Sequence, residues 1–162
     1  MKFQRQRKMV AMVSFALTTL ALLSVVAVQS ASRPSKGELA VEYRQSLYTV
    51  MSVNFGPLGA MAEGVMPFNA AEAQKRADRM AFLAPMFKEA FPADSNGVAR
   101  TAARSEIWAA AAEFDKDQQA LIEKTALLAV AAKTNDFAKV KYAIQETGET
   151  CKSCHYKFKE TR

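Results

Sequence analysis

Cysteine, histidine and tryptophan are almost missing from this chain: its 162 residues include two Cys, one His and one Trp, with only six Gly and five Pro. Little Gly and Pro leaves little turn chemistry for a fold of many short strands. The cysteines stand three residues apart, so a disulfide would close a very short loop and constrain little of the unfolded chain. Cys and His together offer three soft donors, fewer than the four that a structural zinc site takes. No basic patch interleaved with aromatics argues for nucleic acid. No paired acid and base on a substrate-binding loop argues for an enzyme. There is no strand-like alternation, no internal repeat and no low-complexity tract.

What is present is apolar and rich in alanine. Half of the residues are hydrophobic, enough for one compact domain with a real core, and the composition favours an all-α chain. The N-terminus is a separate object. Lys2, Arg5, Arg7 and Lys8 precede an apolar run from Met9 to Val28, and the small polar stretch QSASRPS follows. That is the pattern of a secretory signal over residues 1–31, with cleavage expected after Ser30 or Ala31. An uncleaved anchor is the other reading, weakened by Ser14, Thr18, Thr19 and Ser24 within the run. The segment holds four basic and no acidic residues, so its removal takes the formal charge from +6 to +2.

Four helical stretches follow. The first spans about Lys36 to Glu63, with Arg44, Tyr48, Met51 and Phe55 on one stripe, and Gly56-Pro57 is expected to kink or loosen it. Asn69-Ala-Ala-Glu72 resembles a capping box and starts a second helix running to about Phe87, with Ala73, Ala77, Met80, Ala81 and Ala84 inward. The third runs from about Ser105 to Lys133, with Ile107, Trp108, Ala111, Phe114, Leu121, Ile122, Leu128 and Ala132 on its apolar side. The fourth runs from Asp136 nearly to the end. Short links between long helices predict an antiparallel four-helix bundle over residues 32–162.

Both cysteines and the only histidine lie in the closing stretch CKSCHYKFKETR. Phe137, Val140, Ile144, Gly148, Cys151, His155 and Phe158 are expected inward, with Cys154 at the stripe's edge. Gly148 leaves space there for something large and flat. A redox dithiol belongs to a strand–helix context at a helix N-terminus, whereas this pair falls late in a helix. Covalent haem attachment suits C-x-x-C-H best. Two thiols one turn apart meet two vinyl groups, and the next residue aims an imidazole at the iron. Two buried thiols beside a satisfied histidine remain the plain alternative. If His155 is the proximal ligand, the sixth position falls to Met, to a weaker donor or to nothing.

The export pattern, YRQS (Tyr43–Ser46), NFGPLGAM (Asn54–Met61), EIW (Glu106–Trp108) and the C-terminal CKSCH together resemble cytochrome c′, of the class II c-type cytochromes. The resemblance covers essentially the whole chain after the signal. It implies a four-helix bundle, usually a homodimer, with one covalent haem c. Cys151 and Cys154 match the thioether anchors and His155 the proximal ligand. Arg44 matches an arginine near the haem propionates, which a guanidinium can pair in bidentate fashion, and Gln45 its companion. Tyr48 falls over the open distal face, where an aliphatic residue is common; its hydroxyl can donate to a bound diatomic. Lys159 stands where many members have arginine, keeping the charge without the planar fork.

Two functional readings follow. One is a periplasmic haem protein that binds nitric oxide or carbon monoxide at a five-coordinate iron, with an unidentified redox partner and no membrane attachment after signal cleavage. The other is a low-spin electron carrier whose sixth ligand is a first-helix Met, Met51. The axial ligand set decides between them.

Overall fold

The structure, a computed structural model, describes residues 33–160, and the expected signal segment lies outside them. Five α-helices occur among the described residues: α1 (Lys36–Ala62), α2 (Ala70–Leu83), α3 (Glu106–Ala109), α4 (Ala111–Ala132) and α5 (Phe137–Phe158). The four long ones form an antiparallel bundle. In it α4 packs on α2 and α5, and α1 packs on α2 and α5.

Three of the four long helices start for a local reason. Ser35 and Glu38 form a reciprocal capping box on α1, at 3.2 and 2.7 Å. Asn69 accepts from the Glu72 amide at 3.0 Å and caps α2. Asp136 accepts from the Ala138 and Lys139 amides at 3.0 and 3.3 Å and caps α5. Each acceptor satisfies amides that would otherwise lack a partner.

Two boundaries differ from the sequence expectation, and one expected weak point leaves its helix unbroken. First, Pro57 does not interrupt α1, which continues to Ala62. A proline removes the hydrogen bond to the carbonyl four residues earlier, here Val53, and Arg76 of α2 donates to that carbonyl from Nη1 at 2.8 Å. Second, α2 stops at Leu83 rather than near Phe87. Pro85 follows, and Ala84–Glu89 tightens into a 3-10 helix. Third, the expected single helix from Ser105 to Lys133 is two. Ala110 leaves the helical region (φ −115°, ψ 45°), separating the one-turn α3 from α4.

Leu58, Met80 and Leu128 are completely buried in the core between the helices. Burial of such a side chain stabilises by roughly 1.5–3 kcal/mol. Ala73, Ala77 and Met80 of α2 are buried as expected. Ala111 is exposed, against expectation, because it follows the break at Ala110. Phe137 is also exposed, 40 % of its surface, and stacks on Phe68 at 4.9 Å where two interhelical connections meet.

Two features hold the loop between α2 and α3 in place. Gly37 lies so close to this loop that a Cβ on it would stand 2.1 Å from the Asp94 carbonyl oxygen. At the other side, residues 102–104 run antiparallel to the end of α5. Arg104 N–H donates to the Phe158 carbonyl at 3.1 Å and Glu160 N–H to the Ala102 carbonyl at 2.8 Å.

Candidate cofactor site

The buried stripe of α5 runs Val140, Ile144, Thr147, then the half-buried Cys151 and Cys154, then Phe158. The steps of three and four keep these residues on one face. His155, expected within the stripe, lies at its edge, about 40° round the helix from Cys151, and is exposed. Gly148 is only half-buried, and the space beside it is taken by Phe55: a Cβ there would meet the Phe55 Cζ at 3.3 Å.

The two thiols are free. Cys154 packs against the cluster of Ile107, Phe114 and Phe158. Burial first, then the Asp117 carboxylate, push the Cys154 thiol up to about 11, with Lys157 opposing. Burial also raises Cys151. Both are neutral thiols near pH 7, unlike the depressed thiol of a redox dithiol. Partial burial, then the charge of Lys159, hold the His155 imidazole below its ordinary value. Its ring is therefore mostly neutral near pH 7, with a nitrogen lone pair free to bind a metal. Among the described residues no group of three or more His, Cys, Asp or Glu is placed to hold a metal ion by itself.

Across from α5, Tyr48 of α1 brings its ring centroid to 6.2 Å from that of His155 and to 4.6 Å from that of Phe87. One turn earlier, Arg44 is 2 % exposed. Its Nη1 donates to Ser95 Oγ at 2.8 Å, and Nη2 reaches the Ser95 carbonyl at 3.4 Å and Thr101 Oγ1 at 3.5 Å. The guanidinium lies over Phe91 and Trp108, at 5.1 and 5.7 Å from the ring centroids, within cation–π range. Its Nε has no partner, and the groups bonded to it are neutral hydroxyls and a carbonyl. Burial accordingly lowers its pKa. Gln45, on the exposed rim, donates to the Arg100 carbonyl at 2.9 Å, so Arg44 and Gln45 both reach the loop before α3.

Cys151, Cys154, His155 and Tyr48 thus share one region between α1 and α5. Arg44 and Gln45 flank it, and Lys159 caps α5 one turn past His155. Ser95, Thr101, Phe91, Phe87 and Gln118 are additions that the sequence reading missed. Ser95 and Thr101 sit in a polar loop with no periodicity to mark them. Trp108 donates from its indole to the Phe91 and Pro92 carbonyls, each at 3.2 Å, and so belongs to the wall around Arg44.

The family profile of cytochrome C′ matches residues 39–159 of this chain. The chain belongs to the cytochrome c′ family. It is 38 % identical over 121 residues to cytochrome c′ of Rubrivivax gelatinosus, covering 75 % of this chain and 94 % of that one. Cytochrome c prime from Shewanella frigidimarina superposes with a TM-score of 0.75 at 39 % identity, over 80 % of this chain and all 100 % of the other. A ferrous arginine-to-lysine variant of cytochrome c prime from Alcaligenes xylosoxidans, with bound NO, gives 0.73 at 33 % identity over 80 % and 100 %.

Members of the cytochrome c′ family carry covalently attached haem c. The residues of this chain fit that group. Two thiols one helical turn apart face inward, a largely neutral imidazole adjoins them, and a buried cation nearby lacks an anionic partner. A haem, with two vinyls for the thiols, an iron for the imidazole and two propionates for the cation, would answer all three. Met51, the candidate for a sixth ligand, is 7 % exposed and packs in the hydrophobic core.

Proposed function

We propose that this chain is an exported haem c protein that binds small diatomic gases such as nitric oxide and carbon monoxide, with electron exchange as a second capacity. The observation that carries this is the His155 imidazole, flanked by two half-buried thiols on α5 and faced by the Tyr48 ring on α1. Haem, when bound, would supply an iron able to take a small diatomic ligand and to exchange one electron.

The chain's own residues do the rest. Cys151 and Cys154 hold the group in one orientation. His155 would be the single imidazole donor, its pKa lowered by partial burial and then by the charge of Lys159 one turn on. Arg44, already desolvated, supplies positive charge where carboxylates are to sit, with Gln45 at its edge. Tyr48 would lie across from His155, a bulky ring in place of an imidazole or thioether donor. Burial raises the Tyr48 pKa, so its hydroxyl remains a donor near neutral pH. Burial of Met51 among core residues favours Tyr48 over Met51 at that face.

Location and assembly belong to the same reading. The basic–apolar–small pattern of residues 1–31 directs export to the periplasm, and no helix among the described residues is long and apolar enough to cross a membrane. The outer face of α1 exposes Leu39, Tyr43, Val50 and Val53, at 48, 38, 46 and 63 %, and residues 45–62 carry no charge. That apolar face suits a second copy of the chain.

Intact mass tests the proposal. The exported protein should carry one haem, absent from the Cys151→Ala, Cys154→Ala double variant, and its N-terminus should fall between Ala27 and Arg33. A mass equal to the bare polypeptide would overturn it.

A further inference from the structure

We infer that Phe87 is a positioning residue for the gas-binding face, holding the Tyr48 ring opposite His155 and thereby setting which ligands pass. The inference rests on the haem reading above.

Tyr48 has three surroundings. Toward α5 it faces the His155 ring, and it is 37 % open to solvent. Toward the bundle it meets Phe87, at 4.6 Å between centroids and 40° between planes. Phe87 cannot yield easily. It is 2 % exposed and sits in the 3-10 helix that Pro85 enforces after α2. Its carbonyl accepts from the buried Gln118 of α4 at 2.7 Å and from the Ala90 amide at 3.2 Å. The position of Tyr48 is thus fixed from α4 through Phe87. An incoming ligand needs the tyrosine ring to move, and the inward path is closed. A small diatomic needs little motion and a larger ligand needs more. Phe87 is therefore a determinant of ligand size, acting through Tyr48.

The experiment compares carbon monoxide with ethyl isocyanide in the reduced holoprotein. Phe87→Leu should raise carbon monoxide association about threefold to tenfold, the range set by loss of one aromatic pair. It should raise ethyl isocyanide association more, so that the ratio between the two falls. In a Tyr48→Ala background the same substitution should change neither rate. Phe68→Leu, which removes a ring contact at the distant end of the bundle, should match wild type.

An independent readout uses the wild-type carbon monoxide complex labelled with 13C-tyrosine. The two sides of the Tyr48 ring should give separate resonances, which merge when Gln118→Leu frees the Phe87 backbone. Merged resonances in wild type, or an unchanged ligand ratio in folded Phe87→Leu, overturn the inference while the haem reading stands. An equal Phe87 effect with and without Tyr48 also overturns it. Wild type that takes up no carbon monoxide sinks the haem reading and this inference together.

Discussion

Arg76 of α2 donates a 2.8 Å hydrogen bond to the Val53 carbonyl of α1, the acceptor that Pro57 leaves without its helical partner. Glu72 holds the same guanidinium at 2.7 Å through Nη2. The proline that should weaken α1 has become a point where α2 is attached to it. Arg76→Ala should destabilise the protein by about 0.5–1.5 kcal/mol, the net range for one hydrogen bond at a site that water can reach. Pro57→Ala restores the helical amide, so in that background Arg76→Ala should cost distinctly less. Urea denaturation of the four proteins in the cycle measures the coupling; no coupling would mean that solvent serves Val53 equally well.

The cysteines give a pH signature in the haem-free chain. Cys154 is raised from 9.0 to about 11. The unfolded chain therefore loses its thiol proton first. The associated stability is complete below about pH 9 and declines as pH rises toward 11. Iodoacetamide should alkylate Cys154 at pH 8 on the order of a hundredfold more slowly than a free cysteine, rising steeply above pH 10. Labelling as fast as for a free thiol would contradict the burial described.

Ligand state is the third prediction. With His155 the only histidine and Met51 in the core, the ferrous iron should be five-coordinate and high-spin. Carbon monoxide should shift the Soret band strongly, and Tyr48→Ala should speed its binding. Met51→Ala should leave the spin state alone and cost about 2–5 kcal/mol of stability, as for a buried Met. A sharp low-spin spectrum that turns high-spin only in Met51→Ala would make the protein an electron carrier.

Arg44 provides a test of opposite responses. Without haem, its guanidinium is buried among neutral groups, and Arg44→Met should be nearly neutral or stabilising. With haem attached, the same change leaves the propionates without their cation and should lower stability. Thermal melts of the two forms compare the signs; equal effects would place the propionates elsewhere.

The sequence carries those elements whose signals are local. Asn69 and Asp136 announce their helices because a cap needs only a few neighbouring residues. The Ala73–Ala77–Met80 face follows from spacing alone. C-x-x-C-H is legible because its chemistry is contained within one and a half turns. What escapes is set by distant partners. Nothing near Pro57 signals that Arg76 will satisfy Val53, and nothing near Ala110 marks a break between two good helical segments. On α5 the spacing places Val140, Ile144, Cys151 and Phe158 correctly, but Gly148 suggests space, whereas Thr147 is the residue that packs and Phe55 lies against Gly148. Arg44 could be placed on a stripe, but its hydroxyl partners Ser95 and Thr101 come from a loop over fifty residues away.

For anyone wishing to engineer a tougher version of this protein, α1 contains a trap. Replacing a helical glycine with alanine ordinarily gains roughly 0.5–1 kcal/mol. Gly56 and Gly59 have open space around the new methyl and should follow that rule. Gly37 should not, since its added carbon would stand 2.1 Å from the Asp94 carbonyl oxygen. Forcing that carbonyl away would shift Ser95, the next residue, and with it the main support of Arg44. One substitution, repeated along a single helix, would improve heat tolerance at two positions and at the third disturb the hydrogen bonds that hold Arg44.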